Sequence, residues 1–311
     1  MHPDDIGHLR PEVPLIWRAP DKVHFGDHRV PVDLDPKEAH WLESLKSHRS
    51  VDAARAACPS GPKRADRILA AAKAAGALDE PGECWWLTPE ERFAVRGELL
   101  ALTQWQEDPG QALAARSACA VAVPGTGPVH DIVRAAFADC GLRTLAPEYA
   151  DVVVLVGRGH IEAIEAHEEY AEVMHLPVRI HHARAAIGPL VLPGRTPCCR
   201  CLALHARDRD AAWPAMAAQW RSWSAPVPPD RLLAQRTALE AVTVLREWID
   251  TASSGASGSS GNSGPMEPAA RAACRIHLEL PGLQPHRERV RAHDACGCLW
   301  QNRTEVPRLS A

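Results

Sequence analysis

The 311-residue chain has no apolar run approaching the ~20 residues of a membrane span. Its start, Met1-His2-Pro3-Asp4-Asp5, has neither a basic nor an apolar stretch, so no secretory signal is expected and the expected location is the cytoplasm. The chain also lacks a charge excess. Thirty-five Lys and Arg against 39 Asp and Glu leave −4, so no global field favours nucleic acid. His160, His167, Glu168 and His175 do not form H-E-x-x-H, because the second histidine falls too far along, and they read as a polar helix face. No long internal repeat is present. What the chain does have is an ordinary balance, 46% apolar and 24% charged, which excludes wholesale disorder. At ~100–200 residues per domain, about two domains are expected. Ten cysteines without a secretory signal argue for thiol or metal chemistry in a reducing compartment rather than disulfides.

The first ~80 residues read as a unit of their own. Short β-prone runs at 13–17 and 23–25 precede Arg29-Val30-Pro31-Val32-Asp33-Leu34, in which Val30, Val32 and Leu34 alternate. Asp35-Pro36-Lys37-Glu38 then starts a helix: Asp35 caps, Pro36 suits the first turn and Glu38 completes a capping box. A second helix begins at Ser50. A third runs from about Pro62 to Ala75 and ends at Gly76. A β-ribbon followed by three short helices is a winged-helix pattern. The basic residues of its third helix, Lys63, Arg64, Arg67 and Lys73, are accompanied by acids and read better as a solvated face than as a DNA reader. Residues 83–117 read as a helical linker.

From Ala118 the pattern changes to strand–helix alternation, which predicts a parallel sheet with helices packed on it. Strands are expected at 118–123, 142–145, 151–157 and 178–181, with helices at about 128–141 and 160–175. Residues 188–194 read as a strand ending in a turn, and 275–280 as a last strand. A long helix is expected from about Asp230 to Asp250, followed by a flexible Gly/Ser loop over 252–265.

Two motifs carry chemistry. Cys198-Cys199-Arg200-Cys201 supplies a C-x-x-C pair and Cys296-Gly297-Cys298 a C-x-C pair. Two pairs of thiolates from two places suit one tetrahedral zinc, and a closed four-sulfur site is structural rather than catalytic. Cys198, Cys201, Cys296 and Cys298 are therefore the expected ligands. Cys199 is the odd one out, open between a buried residue, an exposed one and an alternative ligand; His205 and His293 read as bystanders, and Cys119 and Cys140 as core. The second motif, Gly125-Thr126-Gly127-Pro128-Val129-His130, is a damaged nucleotide turn. Gly125 and Gly127 still permit a tight turn, but His130 replaces the last glycine and Pro128 removes a donor. Arg143-Thr144-Leu145-Ala146 stands where an acidic ribose-binding residue belongs.

The segment Gly188–Leu202, its continuation Leu204–Pro214 and the closing His293–Cys298 resemble ThiF-type, ubiquitin-activating-like proteins. Within these they resemble the actinobacterial branch of bacteriocin-biosynthesis cyclodehydratase-domain proteins, the leader-peptide-binding proteins of thiazole/oxazole-modified peptides. The opening from Leu9-Arg10-Pro11 to Phe25-Gly26 is similar as well. The resemblance covers nearly the whole chain. It implies an α/β fold: an N-terminal PqqD-like winged helix over 1–82, then a degenerate Rossmann-like ThiF-type domain over 118–311 with a four-cysteine zinc site. It also implies a catalytically degenerate scaffold that presents a ribosomal precursor peptide to a YcaO-type cyclodehydratase, with a homodimer left open. The leader would add as a strand at the edge within Val23–Leu34, through Val30, Val32 and Leu34, and pack against Arg64, Arg67 and Ile68. The alternative implied is a divergent ATP-dependent adenylyltransferase activating a carboxylate. The damaged turn argues against ATP and against independent enzymatic activity.

Overall fold

The computed structural model describes residues 8–10, 13–26, 31–45, 51–79, 87–106, 108–158, 169–222, 229–253 and 268–299. Contacts divide the chain into two units, Met1–Gln111 and Ala112–Ala311, so the segment 83–117 is shared between them.

In the first unit β1 (His8–Leu9) pairs antiparallel with β5 (Leu78–Asp79), and β2 (Leu15–Ala19), β3 (Lys22–Phe25) and β4 (Val32–Asp33) form an antiparallel sheet in the order β2-β3-β4. Helix α1 (Pro36–Glu43) starts on the capping box: Asp35 Oδ1 accepts from the amides of Lys37 at 2.7 Å and Glu38 at 2.8 Å, and Glu38 Oε2 accepts from the Asp35 amide at 3.1 Å. That arrangement satisfies donors that the first helical turn leaves orphaned. Helices α2 (Val51–Ala57) and α3 (Pro62–Ala74) follow. Val23, Phe25, Leu34, Trp41, Leu42 and Ile68 fill the core between sheet and helices. Trp41 buries its ring by donating Nε1–H to the Ala54 carbonyl at 2.8 Å. The expected linker is two helices rather than one segment. α4 (Pro89–Leu102), capped by Thr88 and Glu91, packs Leu100 on this first core, and α5 (Pro109–Ala118) leads into the second unit.

The second unit is built on a seven-stranded sheet in the order β12-β11-β10-β9-β8-β6-β7. Its strands are β6 (Ala120–Ala122), β7 (Arg143–Thr144), β8 (Val152–Arg158), β9 (His175–His181), β10 (Arg184–Ile187), β11 (Cys274–Glu279) and β12 (His286–Arg289). β7, β6, β8 and β9 run parallel, and β10, β11 and β12 are antiparallel. The sheet is therefore mixed, not parallel throughout. β10 and β12 escape the sequence reading because they are only four residues long and their charged residues break the apolar alternation. Helix α6 (Pro128–Asp139) and the helix Arg231–Ser253 cover one sheet face, packing Val133, Phe137, Leu233, Leu245 and Ile249 on Val121, Val154, Val178 and Ile276. Arg116 of α5 is tied to Asp250 of the long helix by a buried fork, its Nε donating to Oδ1 at 2.7 Å.

Residues 188–194 are not the strand expected. Pro189 and Pro193 cannot donate to a ladder, and Thr196 takes the ladder's place. Its hydroxyl donates to the Leu190 carbonyl at 2.8 Å and accepts from the Leu192 amide at 2.7 Å. Only Val191 bridges to His175. The helix expected over 160–175 falls largely outside the described residues, and β9 already begins at His175. The Gly/Ser loop over 252–265 also lies outside them, apart from the last two residues of the long helix. Among the described residues no helix is long and apolar enough to cross a membrane.

Candidate metal centre and glycine turn

Cys198 is the N-cap of the helix Cys199–Arg209, and Cys201 lies in its first turn. Both residues thus lie at the positive end of a helix dipole, which favours thiolate. The second pair lies on a loop after β12. Gly297 separates its two cysteines with φ +73°, a left-handed conformation that L side chains avoid. A β-carbon at Gly297 would meet nothing within 4 Å, so backbone conformation, not space, requires the glycine.

The four sulfurs of Cys198, Cys201, Cys296 and Cys298 lie within 4.8 Å of one another. Cys198 faces Cys296 at 3.5 Å, and Cys201 faces Cys298 at 3.4 Å. A tetrahedral zinc with ~2.3 Å bonds sets its sulfurs ~3.8 Å apart, so the spacing and the donor set both fit one ion. Hydrogen bonds from Cys198 and Cys298 hold Cys201 well below the usual thiol range, while Cys198, which keeps its proton in that bond, is pushed up. The His293 amide also donates to Cys201 Sγ at 3.4 Å. The group is one able to hold a metal ion, tying residues nearly 100 positions apart.

Cys199 is buried beside this group but does not join it. His205 and His293 are not among the four thiols' partners as ligands, yet they fasten the loop that carries two of them. His293 Nε2 donates to Asp208 Oδ2 at 2.6 Å, its Nδ1 accepts from the Ala295 amide at 3.1 Å, and His205 Nε2 donates to the Arg291 carbonyl at 2.9 Å. The amide bond at Nδ1 fixes the tautomer. Sequence reasoning missed Asp208, since nothing in its spacing links it to His293, 85 residues away. Cys119 is fully buried and its thiol is pushed up to about 12 by desolvation, and Cys140 is raised for the same reason.

Gly125 and Gly127 form the turn between β6 and α6, with φ +102° and +113°. The chain reverses its strand order between β6 and β8, where open α/β sheets receive ligands. Here the crevice is lined by the protein's own side chains. A β-carbon at Gly125 would sit 2.5 Å from Nε2 of His130, and one at Gly157 would sit 1.1 Å from Nη1 of Arg179. Arg134 donates to the carbonyls of Val123 at 3.1 Å and Gly125 at 3.2 Å. The involvement of Arg179 has no sequence signal, because only parallel pairing of β8 with β9 sets it opposite Gly157.

The residues expected to meet a peptide are not all at a surface. Leu34 and Ile68 are each 1% exposed and belong to the first core. Val32 is half-buried in β4, and Val30 lies outside the described residues. β3 sits between β2 and β4, so Val23–Phe25 is no edge; among the described residues of the span Val23–Leu34, β4 alone is one. Arg64 is engaged: its guanidinium holds Glu38 at 2.9 Å and the carbonyl of Asp33. That partner keeps Glu38, 4% exposed, down at about 2. Arg67 is exposed.

No protein-family model matches the chain, and no curated protein matches it. Solved structures do. A heterocyclase in complex with substrate and cofactor superposes at TM-score 0.64 and 17% identity, over 95% of this chain and 39% of that one. What is shared is the fold. The heterocyclase TruD matches equally, at 0.64 and 16%, over 94% and 42% of the two chains. E. coli MccB matches at 0.59 and 13%, over 96% of this chain and 100% of its own. The chain thus spans about two fifths of the length of the heterocyclases it resembles.

Proposed function

We propose that this chain binds the leader of a ribosomal precursor peptide and presents it to a YcaO-type cyclodehydratase during thiazole/oxazole-modified peptide biosynthesis. In this reading residues 1–82 are a PqqD-like winged helix that recognises peptide, 83–117 link, and 118–311 are a ThiF-type, Rossmann-like domain. That domain has kept its architecture and a structural zinc at Cys198, Cys201, Cys296 and Cys298. The observation that carries the reading is the extent of the fold match. It runs through both units of this chain and takes in 39–42% of each heterocyclase, one of them solved with substrate and cofactor, which supports a substrate-handling role. The altered turn supports it too, since His130 packs on Gly125 and Pro128 removes a backbone donor from the helix start. Zinc, when bound, supplies a closed four-sulfur tie with no open position for chemistry. The protein's part is binding: main-chain hydrogen bonds at an open strand edge give affinity, and neighbouring side chains give choice. The test is fluorescence anisotropy with precursor peptides encoded beside a YcaO gene, together with copurification of that enzyme. Absence of both would end the proposal.

A second reading, a divergent adenylyltransferase, is favoured by the match over the full length of MccB, a protein also solved with ATP. Calorimetry separates the two. Micromolar ATP binding that Gly127→Trp abolishes would support the enzyme, and no binding supports the scaffold.

A further inference from the structure

The two halves of the cysteine cage are held by different means. The C-x-x-C half is built into the interior of the second unit. Cys198 is 6% and Cys201 0% exposed, both pack with Val191, and the Thr196 hydroxyl braces the approach to them through Leu190 and Leu192. The C-x-C half, Cys296 and Cys298, is only half-buried, on the loop 291–298. That loop leaves the sheet after the Val290 amide donates to the Ala273 carbonyl at 2.9 Å. Among the described residues, every hydrogen bond that then reaches out of the loop ends on Cys198 or on the helix Cys199–Arg209.

Residues three and four apart share a helix face, and Cys201, His205 and Asp208 stand on successive turns of one face. Each grips a different point of the loop. Cys201 Sγ accepts from the His293 amide at 3.4 Å, His205 Nε2 donates to the Arg291 carbonyl at 2.9 Å, and Asp208 Oδ2 accepts from His293 Nε2 at 2.6 Å. The His293 ring is the hub. Its side chain is 11% exposed, and it meets the His205 ring edge-on with centroids 4.9 Å apart. Its Nδ1 accepts from the Ala295 amide at 3.1 Å, and its carbonyl accepts from the Cys296 amide at 2.9 Å. His293 therefore holds the backbone that carries Cys296, and Asp208 holds His293.

We infer that the C-x-C loop is the half of the cage that opens, and that Asp208 and His293 form the latch that sets how fast a bound zinc ion is lost. The inference rests on the zinc reading of the cage and not on the peptide-binding function. It assigns zinc retention to two residues outside the four ligands. Cys198 and Cys201 are anchored in the interior, so the cage opens only if the loop lifts, and lifting breaks the Asp208–His293 bond. Both are positioning residues, since they act through Cys296 and Cys298. Partners of this kind behind metal ligands are worth about 10–100-fold in metal affinity.

The experiment uses the full-length protein, loaded with zinc and checked by elemental analysis, and follows transfer of zinc to excess pyridylazoresorcinol. Asp208→Ala and His293→Ala are each expected to speed transfer about tenfold. His293→Gln, whose amide keeps a donor for Asp208, is expected to stay within about twofold of the parent. Glu279→Gln, which breaks the exposed Arg184 pair elsewhere in the same unit, is expected to leave the rate unchanged. A pulse of N-ethylmaleimide during transfer from the parent protein, mapped by mass spectrometry, is expected to label Cys296 and Cys298 before Cys198 and Cys201. That order is read without any substitution, so it stands whether or not a variant folds. Unchanged rates in both alanine variants, equal acceleration by Glu279→Gln, or earlier labelling of Cys198 and Cys201 would each overturn the inference and leave the zinc in place. A protein that takes up no zinc would end the zinc reading itself, and the inference with it.

Discussion

The first unit's main polar tie, Glu38 to Arg64, joins residues 26 apart, whereas the second unit's ties reach across 98 residues at Cys198–Cys296 and 134 at Arg116–Asp250. The first unit otherwise relies mostly on local devices, its capping boxes, a short ribbon and short helices, with one longer closure where β1 pairs with β5 and Arg10 Nε donates to the Leu78 carbonyl at 3.0 Å. The second closes long loops. Loop-closure entropy grows with length, so a tie that pins a distant segment contributes more than one between near neighbours. The consequence is a division of sensitivities. The second unit should respond to metal and to loss of its buried ion pair. The first should respond to acid.

The largest effect expected is at the cysteine cage. Elemental analysis should find one zinc per chain. Cys298→Ser or exhaustive chelation should remove it and destabilise the second unit by about 4–5 kcal/mol, by analogy with a cross-link closing a loop of that length. The melting of the first unit should be unmoved. Zinc-free protein of full stability would dissolve the contrast.

Next comes Arg116→Ala. It strips the buried Asp250 of the fork it receives from Arg116, and the expected loss in urea unfolding is about 3–5 kcal/mol. Replacing both residues with apolar ones of similar volume should restore most of it. If the single variant costs under ~1 kcal/mol, the fork is not what holds α5 to the long helix.

The first unit supplies the pH arm. Arg64 lowers the Glu38 carboxyl from 4.5 to about 2. A folded-state value below the unfolded one adds stability that is complete above about 4.5 and is lost as pH falls through about 2. The contribution is on the order of 3 kcal/mol at neutral pH. Glu38→Gln should flatten acid unfolding of the first unit between those limits and leave the second unit's acid curve in place. An unchanged acid limb would refute the pair's role.

The smallest effect on stability belongs to Arg67→Glu. It is exposed on α3, and its change in stability should stay within about 0.5 kcal/mol. An acidic peptide lying between β4 and α3 should bind the variant more weakly, which fluorescence anisotropy would read.

Much of this was legible in the residues themselves. Asp35, Pro36 and Glu38 announce α1 because a capping box is a local interaction. Pro62 and Gly76 bracket α3, and the apolar runs at 120–123 and 152–156 announce buried strands. The C-x-x-C and C-x-C pairs state their chemistry by spacing alone. The charged strand β12 was invisible because a strand at a sheet edge needs no apolar alternation. The bend at 188–194 looked like a strand because Thr196's replacement of the ladder is a contact, not a pattern.

The sequence by itself determined where helices begin, which runs are buried and which thiols belong in pairs, since each depends on residues within a few positions of one another. Tertiary structure decided the rest. It brought the two cysteine pairs together, set Arg179 over Gly157, and placed β3 between two neighbours. It also turned Arg64 from a surface charge into the cap on Asp33's carbonyl. Those outcomes depend on strand order and register, and pairing partners are chosen by the burial of a whole face, which no short stretch of sequence contains.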